Sequence, residues 1–376
     1  MKILKKAAAA LLAIAMLLSM TACHVKDETA ISVGDYKITS AMYSYYLVIS
    51  DSEAKTLISE SEDYDTTAKN FSYYNQKIDG KSYNDYVKDL AIEKCLIHLS
   101  LEKICDDKEL KLDDETKQNA QSKAQYYWNY YYGPVLAMNG VGYQTYEKIM
   151  LNEAKYNLYF EHIYGEGGEK AVTDKEINTA FNEHYSASYM IVHDYSGEDK
   201  PDVDAISKDL QVYVDALNNG KAYADVLADY NKANDIKEDT ESKEDANQSG
   251  DNKEESKEEE KPAPADSDIV ILTDYEETYS GEAVLFDMYD DVKKLAKDKA
   301  TLLHDEDNKC YYIVVKKDIT QDSYYLDSLK EEILYLLKTD EFDKFLDETS
   351  SKLEYEVSKY AVNQFKVKNI YDGTEA

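Results

Sequence analysis

Val172-Thr173-Asp174-Lys175-Glu176-Ile177 is followed by Ala187-Ser188-Tyr189-Met190-Ile191-Val192-His193 and then by Ala222-Tyr223-Ala224-Asp225-Val226-Leu227-Ala228-Asp229-Tyr230. These stretches read as a short linker helix, an apolar β-strand and an amphipathic helix. Between the last two, Ile206, Leu210, Val214 and Leu217 recur at helical spacing and stop at Asn219-Gly220. Asn234 to Ser267 is then a run of Glu, Lys, Asp, Ser and Asn closing on Pro262-Ala263-Pro264-Ala265. It has too little apolar surface to offset its ordering entropy, so a disordered acidic insertion over 234–267 is expected. Strand-like segments resume at Ile269-Val270-Ile271-Leu272 and Cys310-Tyr311-Tyr312-Ile313-Val314-Val315. Together they outline a small α/β domain over 171–320.

On the N-terminal side, Ile31/Val33 and Tyr36/Ile38 alternate around Gly34-Asp35, which predicts a hairpin. Thr39 or Ser40 should cap a helix running through Val48. Tyr83, Tyr86, Val87, Leu90, Ile97, Leu101 and Ile104 share one helical face, and Ile92, Leu96 and Leu99 populate another. A helix over about Tyr83–Cys105, buried on two sides, is expected. Asp113-Asp114-Glu115 opens a further helix to about Tyr131, with a stop at Gly133-Pro134. After a turn at Asn139–Gly142, another helix is expected from about Thr145 to Tyr164. The region 23–170 is therefore helical. In 321–376, Leu326, Leu329, Ile333 and Leu337 form a stripe that Phe342, Phe345 and Leu346 continue. Leu353, Tyr355 and Val357 alternate as a short strand. The fold class is α+β.

The chain carries 43 basic and 76 acidic residues and no Arg, for a net charge of −33. Such a field repels nucleic acid, which needs cationic patches on its phosphates. Cys95 and Cys105 lie ten residues apart on one expected helix, roughly 15 Å, too far for a disulfide. Neither the cysteines nor the six scattered histidines show a zinc spacing, so no metal and no cofactor are expected. Tyrosine is abundant, 36 against seven Phe. Tyr offers stiff, amphipathic contact area, and the cluster Tyr126, Tyr127, Trp128, Tyr130 and Tyr131 is the candidate peptide-binding surface. The ordinary alternative is that Tyr replaces Phe in the core.

Residues 1–22 have a positive start (Lys2, Lys5, Lys6) and an apolar run from Ala7 to Leu18 too short to span a membrane comfortably. Met20-Thr21-Ala22-Cys23 resembles the lipobox of bacterial lipoproteins. That resemblance implies lipidation at Cys23 and anchoring to the extracytoplasmic face of a bacterial cell membrane.

The order hairpin, aromatic helix, buried helix, then strand and amphipathic helices resembles the PrsA/SurA family of extracytoplasmic foldases. The resemblance implies a chaperone domain built from the N- and C-terminal segments. An inserted parvulin-type peptidyl-prolyl isomerase domain would sit between them. That site uses two His on neighbouring strands to ease a barrier of roughly 18–20 kcal/mol. Here Tyr189 stands where the "H-I-L-V" motif begins, and Tyr312 where "G-Y-H-I-I-x-V" has its His, with Cys310 in place of the Gly. Ala283 to Tyr289 resembles the helix supplying apolar pocket residues, which nominates Phe286 and Met288 beside Met190. Tyr cannot replace a coupled His pair, so a degenerate isomerase site is expected. His193, about 13 Å along the strand from Tyr189, reads as a strand-end surface residue. The implied partners are unfolded or secreted polypeptides, and a homodimer stays open. Two other readings also stay open: an active isomerase, and a lipoprotein binding one partner or solute on the same scaffold.

Overall fold

A computed structural model describes residues 28–61, 63–197, 200–234, 236, 269–275, 283–318 and 323–373. Cys23 and nearly all of the acidic insertion lie outside them. The chain is α+β and divides into two compact units, Met1–Ala171 with Thr339–Ala376, and Val172–Lys338.

In the first unit, β1 (Thr29–Val33) and β2 (Tyr36–Thr39) form the expected hairpin. Gly34 supplies the left-handed φ of 57° that the two-residue turn needs. The Thr39 side chain accepts the Met42 N–H and starts α1 (Ser40–Glu60). This helix continues past Val48 because Ala54 and Ile58 extend its buried face. A short ladder of β3 (Lys77–Ile78) and β4 (Lys81–Ser82) leads into α2 (Tyr83–Asp107). Tyr83, Val87, Ala91, Leu96, Leu99 and Leu101 are all buried, as a helix covered on two faces requires. Asp113 caps α3 (Asp114–Tyr127), and a π-turn over Trp128–Tyr132 passes into α4 (Gly133–Met138). The expected stop at Gly133-Pro134 does not occur. Pro134 sits in the first turn of α4, where a missing N–H costs nothing. Then α5 spans Tyr143–Tyr164.

The second unit opens with α6 (Asp174–His184), held by a reciprocal capping box between Thr173 and Glu176. Next come β5 (Tyr185–Asp194), α7 (Val203–Asn218) and α8 (Tyr223–Ala233). They are followed by β6 (Val270–Thr273), β7 (Ala283–Leu285), α9 (Tyr289–Lys294), β8 (Ala300–Asp305) and β9 (Cys310–Lys317). The sheet order is β7-β6-β5-β9-β8, antiparallel except for β6 with β7. Residues Ala283 to Tyr289, expected as one helix, instead form β7, a turn and the first residue of α9. Backbone pairing of Ala283 with Ile271 draws this segment onto the sheet edge. Helices α7 and α8 cover one face, where Leu210, Val214, Leu217 and Val226 pack on Ile191, Ile313 and Val315. On the other face α9 brings Tyr289 and Val292 to Leu272 and Val314.

Helix α10 (Ser323–Ser350) runs unbroken through Thr339-Asp340, and the division between units falls inside it, not at 321. Within the second unit Glu332 accepts a hydrogen bond of 2.9 Å from Tyr185 Oη. Within the first, Phe342 is enclosed by Tyr156, Tyr159, Phe160 and Tyr164. Finally β10 (Glu356–Val357) adds to β1 in the order β10-β1-β2. After it, α11 (Lys359–Asn363) buries Ala361 with Ile31, Ile38 and Leu99. The first and last segments thus share one core.

Candidate functional site

A strand turns successive side chains to opposite faces, and residues paired across a ladder share a face. The β5–β9 register pairs Tyr189 with Val315, Ile191 with Ile313 and Val192 with Tyr312. Tyr189 therefore belongs to the helix-covered face. Its ring stacks on Tyr223 at 4.3 Å and 12°, and Tyr223 Oη donates to the Met190 carbonyl at 3.0 Å. Tyr312 belongs to the opposite face, edge-on to Phe286 at 5.1 Å, in one cluster with Met190 and Met288. Cys310, two residues before Tyr312 on β9, shares that face. Hydrogen bonding to Cys310, with burial second, raises the Tyr312 phenol above its ordinary value. The fold thus brings together Met190, Phe286, Met288, Cys310 and Tyr312 and leaves Tyr189 out. The pairing of Tyr189 with Tyr312 implied by the strand motifs is corrected by the register. A phenol held protonated against apolar neighbours can donate a hydrogen bond, but it is no acid–base pair.

His193, next to the end of β5, is half-buried on the Tyr189 face, with Nδ1 3.0 Å from Tyr230 Oη. It pairs across the ladder with Tyr311, and Tyr311 pairs with His304. The His304 ring stacks on Tyr311 at 4.2 Å, and its Nε2 lies 2.7 Å from Tyr195 Oη. This His–Tyr–His row is not legible in the sequence without β8, which joins His304 to the sheet. The alternation of Leu302 and His304 was the available signal. Among the described residues no group of three His, Cys, Asp or Glu could hold a metal.

The tyrosines of 126–132 divide. Trp128 is half-buried against Tyr143 and Tyr146 in a core cluster with Ala124 and Leu136. Tyr126, Tyr130 and Tyr131 stand exposed, in ring contact with one another through Tyr126. Tyr127 and Tyr132, also exposed, line a cleft of about 680 Å³. The π-turn explains that split. Its wider turn puts residues five apart on one side, and the Tyr127 and Tyr132 rings lie 6.0 Å apart. Gly133 permits it, since a Cβ there would stand 2.3 Å from the Trp128 carbonyl oxygen. Tyr45, Val48 and Ile49 from α1, Tyr146 and Met150 from α5, and Ile370 near the C-terminus complete the walls. Tyr132 and Tyr45 carry no sequence mark that separates them from the other tyrosines. Burial pushes the Tyr45 phenol up to about 12, so it remains a hydrogen-bond donor at ordinary pH. At the rim Lys55 bridges Asp51 at 3.0 Å and Asp372 at 2.8 Å. The cleft combines aromatic faces, hydroxyl donors and an ionic edge.

No family model matches the chain, and no curated protein matches it. The solved structures similar to it include the following two. One is foldase protein PrsA from Streptococcus pneumoniae, with 14% identity and a TM-score of 0.40, over 90% of this chain and 99% of that one. The other is foldase protein PrsA from Lactococcus lactis, with 13% identity and a TM-score of 0.36, also over 90% of this chain and 99% of that one.

Proposed function

We propose that this chain is a foldase-like chaperone of the PrsA/SurA kind. It is anchored outside the bacterial cell membrane by a lipid on Cys23 and binds unfolded secreted polypeptides. The observation that carries this reading is the tyrosine-lined cleft of the first unit. Tyr45, Tyr127, Tyr132 and Tyr146 offer apolar ring faces that accept many side chains, and phenol hydroxyls that suit an unpaired peptide backbone. Such a surface binds by area more than by sequence, which suits clients that share no motif. Isomerase chemistry is not favoured, because Tyr312 packs among Phe286, Met190 and Met288, and Val192, not a histidine, faces it across the ladder.

The test uses the chain from His24 onward in two assays. One follows suppression of aggregation of an unfolded protein, and the other follows cis/trans exchange in a short X–Pro peptide. Suppression without catalysed exchange is expected. Catalysed exchange at enzyme-like rates would overturn the degenerate-site reading. Absence of both would turn the scaffold into a binder of one partner or solute.

A further inference from the structure

We propose that a second cavity of the first unit binds a small anionic amphiphile, with a carboxylate head on a lysine rim and an aliphatic tail on an apolar floor. The cavity is about 680 Å³, within the usual range for small-ligand sites of roughly 300–1,000 Å³. Its floor holds Met42, Leu99 and Leu112, which are 5%, 1% and 7% exposed. Its walls carry Lys37, Lys111, Lys117, Lys148 and Lys155 against three acids, Asp35, Glu102 and Asp106. That ratio inverts the whole chain, where acids outnumber lysines 76 to 43.

The pairing inside the cavity sharpens the argument. Glu102 is already taken by Lys155 at 2.5 Å and by Asn152 at 2.9 Å, and Asp106 accepts from Tyr36 Oη at 3.1 Å. Lys117 pairs with Asp114 outside the cavity lining. Lys37, Lys111 and Lys148 form no ion pair with any described residue, in a chain that has acid to spare. They come from β2, the α2–α3 connection and α5, so only the fold gathers them. His98 in the floor has its Nδ1 2.8 Å from Tyr46 Oη, and burial keeps its imidazole neutral, so it adds no charge to the site. Asp35 and Asp106 keep their charge in the lining, yet five lysines against three acids leave the cavity net positive above a buried aliphatic floor, and a carboxylate is the partner that answers that excess. A neutral ligand would fill the floor and leave the rim unanswered. A highly charged, tail-less anion would do the reverse.

The experiment is a fluorescence titration of the purified protein with cis-parinaric acid, a fluorescent fatty acid, and separately with its methyl ester. The acid should bind saturably and more weakly as salt rises, and the ester should bind about ten-fold less tightly. Lys37→Glu with Lys148→Glu should weaken the acid by about ten-fold or more and leave the ester unchanged. Lys352→Glu with Lys368→Glu makes the same change in net charge outside the cavity and should leave both probes unchanged. Equal binding of acid and ester would overturn the proposal without requiring any variant to fold. So would an unaltered Kd in the Lys37/Lys148 variant, which would place the probe elsewhere, the tyrosine cleft included.

Discussion

Tyr189 and Tyr312 leave adjacent strands of one sheet on opposite faces. Tyr189 lies level with Val315, Tyr312 with Val192, and the two rings belong to separate cores. A strand motif aligned residue by residue places both at histidine positions, yet no pair chemistry can pass between them through the sheet. The partner that faces Tyr312 across the ladder is Val192, which is 49% exposed.

Facing can be read directly with a metal. Val192→His with Tyr312→His sets two imidazoles opposite each other on one face. Nickel at 100 times its Kd should then stabilise the variant by about 2.7 kcal/mol. Tyr189→His with Tyr312→His should show no nickel-dependent rise in Tm. A comparable response in both variants would contradict the register.

The tyrosine cleft predicts unequal roles for neighbouring rings. Tyr132→Ala removes a wall of the cleft and should cost about 1 kcal/mol or more in affinity for an unfolded polypeptide, roughly five-fold or more. Tyr130→Ala, 73% exposed and outside the lining, should stay within about two-fold. Fluorescence anisotropy with a labelled, permanently unfolded polypeptide distinguishes them, and equal losses would count against the cleft.

Phe342 is fully buried at the centre of five aromatic rings. Phe342→Ala leaves a cavity that stiff rings cannot close, at a cost of about 3–5 kcal/mol. Trp128, the only tryptophan, lies in the same unit, so its emission during urea unfolding reports that loss. A shift in midpoint worth less than about 1 kcal/mol would mean that the rings repack.

Acid should weaken the first unit through His98. Burial holds its imidazole down to about 4, against 6.5 unfolded, with Glu102 opposing and Lys155 adding to the depression. The unfolded chain therefore binds the proton first, and stability falls as pH drops from about 6.5 towards about 4, by on the order of 3 kcal/mol. Glu102, also held below its ordinary value, adds a loss in the same direction only below its unfolded value of 4.5. Between pH 6.5 and 4.5, His98→Asn should flatten the dependence of Trp128-monitored stability on pH. An unchanged slope would assign the effect to other groups.

Much of the architecture could be read locally. Thr39, Ser82, Asp113 and Thr173 each accept a backbone N–H at the start of a helix, because a cap needs only its own few residues. The two-sided burial of α2 and the strands at 270–273 and 310–317 followed from periodicity. Residues 283–289 did not, since a short apolar run serves equally as helix or edge strand until Ile271 offers its backbone. β8 gives little sequence signal, since all of its residues after Ala300 are half-buried and alternate weakly.

Sequence alone determined the α+β class, the order of most helices and of the central strands, the excess of acid and the wealth of tyrosine. These depend on residue identity and on spacing within one element. Tertiary structure decided that Tyr189 and Tyr312 face apart and that His193, Tyr311 and His304 form one row. It also decided that Tyr127 and Tyr132, but not Tyr130, line a cleft, and that lysines from three segments ring one apolar floor. The reason is physical. Alternation within a strand or helix settles which of its own residues share a side. The register between strands, the extra residue of a π-turn and the meeting of distant segments are set by hydrogen bonds and packing that no local pattern records.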